Sequence, residues 1–267
     1  MPYNWIMFGE EMSDFSWSYS AYSSAVTCLR KFKLSYIEKV VVDGPESSDL
    51  IFGSALHSAI NAVLTNEDGI GTFELYWESY REKDVEYGRH DWKQLKGLGT
   101  EFIRKFTKTY APSLRLDFAE QRLYSDYRGV KVDGQPDFIG EFNGVRTLAD
   151  WKTSSANYAP TKANTATQLY LYAYLAIKNG HGPIEQLAYF VFNKGTGSLQ
   201  TPIVWKFNEA DMYEALNNLI DYAYILGPTG ISDPALPMNY PKNYDACHNY
   251  NRPCKYFSIC HPTKESK

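Results

Sequence analysis

The sequence has no apolar run approaching the roughly 20 residues that a membrane-spanning helix needs, which excludes a helical membrane protein. It has no excess of basic residues: 27 Lys and Arg stand against 31 Asp and Glu, a formal net charge of -4. The molecule as a whole therefore does not attract nucleic acid, and binding to a polyanion has to rely on a local basic surface or on bound cations. The opening "MPYNWIMFGEEMSDF" puts acids where a secretory signal needs a basic start and a long apolar run. The expectation is a soluble, cytoplasmic protein. Cysteine is scarce, four in 267 residues, and in a reducing compartment such thiols are free or bind metal rather than forming disulfides. There is no internal repeat, no low-complexity tract and no G-x-x-x-x-G-K-[ST] phosphate loop.

What is present is a globular composition, 44% hydrophobic and 16% aromatic, too rich in core-forming residues for general disorder. The length supports a single domain over 1–267, read as a core with a helical insertion. Apolar residues at helical spacing over 17–40, after a run of serines, predict a first helix that holds Cys28. "GSALHSAINAVL" predicts a second. The charged and aromatic segment 72–110 reads as the helical insertion, with breaks at Gly88, Gly97 and Gly99. From 116 to 152 the texture changes to short β-rich pieces that are expected to build the sheet. "TATQLYLYAYLAIKNG" predicts a helix closed by Asn179-Gly180, "EQLAYFVFN" and "TPIVWKF" two more strands, and "NEADMYEALNNLIDYAYILG" a helix begun by Asn208. That order of elements describes an α/β or α+β domain around a central mixed β-sheet. The tail, 228–267, is proline-rich and irregular, yet it carries three of the four cysteines.

The stretch "GQPDFIGEFNGVRTLADWKTSS" carries chemistry. Asn143-Gly144 between two β-rich runs is a strong hairpin signal, because both central positions of a type I′ turn need positive φ. A two-residue loop pairs Phe142 with Val145, Ile139 with Leu148, Phe138 with Ala149 and, at the end, Asp137 with Asp150. Like charges directly opposed are destabilising, so neutralising one of them is expected to relieve repulsion. Alternation puts Lys152 on the same face as Asp150. A local rule broken in an otherwise consistent element points to function, and two facing carboxylates beside a lysine suit Mg²⁺ or Mn²⁺. The bland alternative is a solvated strand-end pair.

"GQPD" followed after a short hairpin by "DWK" resembles the PD-(D/E)XK nuclease superfamily, and the surrounding signals narrow the resemblance to its RecB-like exonuclease group. G-x-x-x-H matches Gly53 to His57, G-x-x-D matches Gly134 to Asp137, D-x-K-T matches Asp150 to Thr153, and Q-x-x-x-Y matches Gln168 to Tyr172. The motifs fall in family order over most of the chain. The resemblance implies a sheet of the restriction-endonuclease-like type flanked by helices. It also implies a Mg or Mn ion held by His57, Asp137, Asp150 and the Trp151 carbonyl, and catalytic roles for Asp137, Asp150, Lys152, Gln168 and Tyr172. Glu120, in "DFAEQRL", is a further acidic group outside that set.

Cys28 before the core and Cys247, Cys254 and Cys260 after it are similar to the one-plus-three layout with which iron-sulfur-containing CRISPR-associated and phage nucleases hold a 4Fe-4S cluster. The spacing departs from the usual C-x2-C-x5-C: here it is C-x6-C-x5-C, with Asn251 where a cysteine is expected. Zinc at four thiolates and unmetallated thiols stay open. The expected function is metal-dependent hydrolysis of single- or double-stranded DNA, as an exonuclease or single-strand-preferring enzyme in recombination, repair or phage or CRISPR-type processing. A helicase, a recombinase or a CRISPR integration complex would be the partner. The rival is an idle nuclease-fold module that binds DNA or scaffolds a recombination complex. The retention of both acids and the lysine argues against that rival.

Overall fold

The computed structural model describes residues 15–226, 240–248 and 252–262. Asn251 and the proline-rich stretch 228–239 lie outside them. The chain divides into two compact units, one of Asp43–Leu123 with Gly134–Ala215, the other of the flanking ends with Tyr124–Asp133.

The first unit is built on a sheet. Strand β1 (Glu46–Ser47), helices α3 (Ser48–Leu64) and α4 (Gly69–Glu78), strand β2 (Val85–Glu86) and helix α5 (Trp92–Thr109) precede strand β3 (Leu114–Phe118); β6 (Phe138–Phe142), β7 (Val145–Ser154), α6 (Thr167–Lys178), β8 (Gln186–Asn193), β9 (Ser198–Leu199), β10 (Ile203–Lys206) and the first residues of α7 (Glu209–Leu226) follow. The long sheet runs β10-β8-β7-β6-β3, with β9 on β8. Strands β7 and β8 are parallel and the other pairs antiparallel, so the sheet is mixed. Asn143 and Gly144 have φ of 53° and 76°, and the ladder from Phe142–Val145 to Phe138–Ala149 is the register expected from the turn.

Alternation along the strands divides the side chains between two faces. Phe138, Ala149, Trp151, Phe190 and Phe192 enter one core with the buried faces of α3, α4 and α5. Ile139, Leu148, Asp150 and Lys152 take the opposite parity, and α6 packs on β7. Helix α5 owes its start to a capping box between Asp91 and Gln94, and buries Leu95, Gly99, Phe102, Ile103 and Phe106 at helical spacing. Phe106 packs its ring against Trp151, Phe190 and Phe192. We expect Phe106→Ala to lower unfolding stability in urea by about 3–5 kcal/mol, the usual cost of deleting a buried aromatic ring. A loss below about 1 kcal/mol would show that this core is not tightly packed.

The second unit corrects two expectations. The first helix does not run through Cys28. It is α1 (Tyr19–Thr27), capped by Ser18, then an extended Cys28 at φ -164°, then α2 (Leu29–Phe32) and a π-helical turn over Lys33–Ile37. At the break, Asn243 Nδ2 donates to the Thr27 carbonyl at 2.9 Å. Nor is 116–152 one sheet: β4 (Leu123–Tyr127) and β5 (Val130–Gly134) form a hairpin of their own around Arg128 and Gly129, both at positive φ. Trp17 bridges to Val132 beside that hairpin and stacks on Phe32 at 5.2 Å. The tail is anchored by Tyr240 and Tyr256, both buried, with Arg30 Nε donating to the Tyr240 carbonyl and Ser35 Oγ to the Tyr256 hydroxyl. Four residues, Phe257–Cys260, close it as one helical turn, α8. Among the described residues no helix is long and apolar enough to cross a membrane.

Candidate active site

The site lies beside the start of β6, where β7 runs on past it. Past the Phe138–Ala149 pair, β7 runs on to Ser154 with β8 on one side only. An inner strand that loses a neighbour leaves backbone groups needing partners. Trp151 has its two groups satisfied by side chains: its N–H donates to Asp137 Oδ2 at 2.8 Å, and its carbonyl lies 2.9 Å from His57 Nε2. A carbonyl only accepts, so Nε2 carries the proton and Nδ1 faces the acids. Asp137 Oδ1 is 3.3 Å from Nδ1, and Glu120 Oε1 is 3.8 Å from it. Helix α3 supplies His57 from a turn whose neighbours Ala55 and Leu56 are fully buried.

The aspartates are therefore not simply opposed. Asp137 turns to the Trp151 amide, while Asp150, 1% exposed, has Oδ2 2.6 Å from Lys152 Nζ. Lys152 Nζ also donates to Gln168 Oε1 at 2.8 Å, and Gln168 Nε2 donates to the Tyr172 hydroxyl at 2.9 Å. Gln168 and Tyr172 are one turn apart on α6, which brings both onto this side of the sheet. Each residue singled out in the sequence for this site lies at the gap.

Glu120 joins them. It sits between β3 and β4 with φ of 54°, a conformation uncommon for a residue with a Cβ and frequent where backbone strain serves a site. Gln135 Nε2 holds its Oε2 at 2.8 Å, while Oε1 is buried with no hydrogen-bond partner. Among the described residues, His57, Glu120 and Asp137 are the three whose ligand atoms lie within 4.8 Å of one another; Asp150 is not in that group. An imidazole nitrogen, two carboxylate oxygens and an unpartnered buried oxygen make a donor set suited to a divalent cation. The sequence puts Glu120 on the strand that precedes the hairpin; β3 instead ends at Phe118, and Glu120 lies in the loop that follows it.

The electrostatics agree. Burial works against a charge on His57, yet Asp137, Asp150 and Glu120 outweigh it and raise the imidazole to about 9. Burial raises the Asp150 carboxyl to about 6 with help from Asp137, against Lys152. Burial and Asp137 also raise Glu120. On Lys152 burial pushes down, but the contact with Asp150 prevails and holds the ammonium above its ordinary value. The acids are crowded enough to need positive charge, which is the electrostatic condition for cation binding.

In the other unit Cys28, Cys247, Cys254 and Cys260 line one pocket with Lys31 and Lys242. The Asn243 amide donates to Cys28 Sγ at 3.4 Å, and Cys247 Sγ is 3.6 Å from His261 Nε2. Burial raises the Cys260 thiol, Cys254 and Cys28 add to the rise, and Lys242 and Arg30 oppose it. Four thiols with cations beside them suit an anionic thiolate-metal group. No three of the thiols come within 4.8 Å of one another, wider than the roughly 3.8 Å that sulfurs about 2.3 Å from a shared zinc would keep.

A model of the PD-(D/E)XK nuclease superfamily matches residues 16–261. Among solved structures, a candidate exonuclease from Eubacterium rectale superposes with a TM-score of 0.50 at 14% identity, over 76% of this chain and 77% of that one. The structure of SSO0001 gives 0.30 at 14% identity over 72% and 84%. No curated protein matches the sequence.

Proposed function

Because the chain belongs to the PD-(D/E)XK nuclease superfamily, and is a nuclease with an α/β fold of the restriction-endonuclease-like type, we propose that it hydrolyses DNA phosphodiester bonds with a divalent cation, Mg²⁺ or Mn²⁺. The observation that carries this reading is the gap beside β7, where His57, Glu120 and Asp137 converge on one side of Trp151 and Asp150, Lys152, Gln168 and Tyr172 form a connected row. His57, Glu120 and Asp137 would hold the cation, with Asp150 and the Trp151 carbonyl beside them. When bound, the cation polarises the scissile phosphate and lowers the pKa of a coordinated water. Lys152, kept charged by Asp150, would orient an attacking water and offset charge that develops on the phosphate. Gln168 fixes the direction of Lys152. The RecB-like motifs in the sequence support an exonuclease or a single-strand-preferring nuclease, in recombination, repair or phage or CRISPR-type processing.

Purified protein incubated with end-labelled single- and double-stranded DNA should release label with Mg²⁺ or Mn²⁺ and stop when EDTA is added. Undiminished cleavage in EDTA removes the cation from the mechanism, and no cleavage under any condition leaves a DNA-binding module. Lys152→Ala should lose turnover by about 10²–10³-fold, the scale of a missing electrostatic contact to the transition state, and still bind Mn²⁺ in calorimetric titration. Glu120→Gln should do the reverse, weakening Mn²⁺ by about tenfold or more, as loss of a ligand or its support does. Equal Mn²⁺ affinity in wild type and Glu120→Gln would leave Glu120 outside the ligand set.

We further propose that the four cysteines hold a structural 4Fe-4S cluster, in which each thiolate takes its own iron and the sulfurs stand farther apart than on a shared zinc. A zinc clasp is the alternative.

A further inference from the structure

Gly134 lies three residues before Asp137 and is buried, and the space a Cβ would fill there is taken by another side chain. A Cβ at Gly134 would stand 2.5 Å from Tyr172 Cε1 and 2.7 Å from Cδ1, with Leu175 Cδ1 at 3.0 Å. The two nearest are atoms in the body of the Tyr172 ring, 9% exposed, not the tip of a mobile chain. Its φ is not in the left-handed region, so the need for glycine here is the ring and not the backbone.

The Tyr172 hydroxyl has one evident task, to accept the Gln168 Nε2–H at 2.9 Å. That task has a direction. A glutamine amide has one accepting and one donating end: the Lys152 ammonium, which only donates, takes Oε1 at 2.8 Å, and the NH₂ end is left to the Tyr172 hydroxyl, which holds the amide in place. Were the amide to flip, its NH₂ would face an ammonium and the contact would be lost. The row Gly134, Tyr172, Gln168, Lys152 thus transmits the absence of one methyl group to the orientation of the ammonium.

We propose that Gly134 is a positioning residue for the reaction: it seats the Tyr172 ring, and through Gln168 that seat sets where Lys152 points. The proposal rests on the reading of Lys152 given above. It predicts a coupling. Relieving a 2.5 Å contact to an ordinary one requires the ring to move by about 1 Å, enough to break the Tyr172–Gln168 hydrogen bond, and a misplacement of that size can cost about 10²-fold in rate.

The test is a double-mutant cycle. Gly134→Ala in the wild-type background should lower kcat about 10–100-fold, with Mn²⁺ affinity and KM for DNA changed less than about twofold. In the Tyr172→Ala background, where no ring is displaced, the same Gly134→Ala should change kcat less than about twofold. Equal losses in both backgrounds, or no loss in the first, overturn the proposal. If Gly134→Ala does not fold alone, folding restored in the double variant supports it and failure of both overturns it. A second readout needs no cleavage: the Gln168 side-chain amide resonances in ¹⁵N spectra should shift in Gly134→Ala as they do in Tyr172→Phe. Unshifted resonances sink the seat even in a protein that cuts DNA, whereas shifted resonances in a protein that cuts nothing keep the seat and reject the nuclease reading.

Discussion

Asp150→Asn is expected to abolish cleavage and at the same time to destabilise the protein. The activity loss should exceed about 10³-fold, because on the proposed mechanism the substitution removes a carboxylate beside the cation and also the partner of Lys152. The stability change is where sequence and structure differ. Two acids opposed across a hairpin predict relief when one is neutralised, but Asp137 is occupied with the Trp151 amide, and Asp150 sits 2.6 Å from Lys152. Removing one member of a buried ion pair typically costs about 3–5 kcal/mol. Some of that is returned here, since burial already raises the Asp150 carboxyl to about 6 and Lys152 is 27% exposed. A drop of about 1–3 kcal/mol in urea unfolding is the net expectation. A variant more stable than wild type would restore the view of two repelling acids, and one that cuts DNA at the wild-type rate would remove Asp150 from the mechanism.

Protein purified without oxygen should be brown, with broad visible absorption and iron and sulfide in equal amounts, and Cys254→Ser should be colourless. The tail buries Tyr240 and Tyr256 and is fastened to the Arg30 and Ser35 side chains, so loss of the proposed cluster would loosen it without releasing it. The expected cost is about 2–5 kcal/mol, comparable to a lost covalent staple between distant parts of a chain. Limited trypsin digestion should cut Cys254→Ser faster near both ends, while the Mn²⁺ requirement of any remaining activity stays the same. Colourless wild type with one zinc per chain would replace the cluster, and metal-free wild type with the same protease resistance would remove the clasp.

Much of the site was legible because its signals are local. Asn143-Gly144 dictates a turn with two positive φ values, the turn dictates register, and register puts Asp150 and Lys152 on one face. Gln168 and Tyr172 were singled out by the resemblance to the Q-x-x-x-Y motif, and helical spacing adds only that they share one face of α6. What stayed hidden depends on where elements end. Nothing in the sequence says that β6 begins only at Phe138 while β7 runs on past Ala149, and that difference turns Asp137 to the Trp151 amide and His57 to its carbonyl. Glu120 reaches the cluster through a left-handed residue in a loop, which no periodicity reveals. The break at Cys28 was invisible for a similar reason: helical spacing continues across it, and the tertiary contact with Asn243 lies 215 residues away.

The late start of β6 has a consequence for how such a protein can lose its activity. His57 and Asp137 are catalytic candidates that also complete the hydrogen-bond inventory of the sheet, standing in for a strand that is not there. Asp150 and Lys152 hold no such backbone duty. A descendant drifting toward a purely architectural role would fray β7 if it discarded the first two, whereas the second pair could be exchanged together for apolar residues at little cost. Decay of function should therefore be asymmetric: the acid and lysine of β7 would vanish first, and the histidine and aspartate that patch the sheet would persist as relics of chemistry no longer performed.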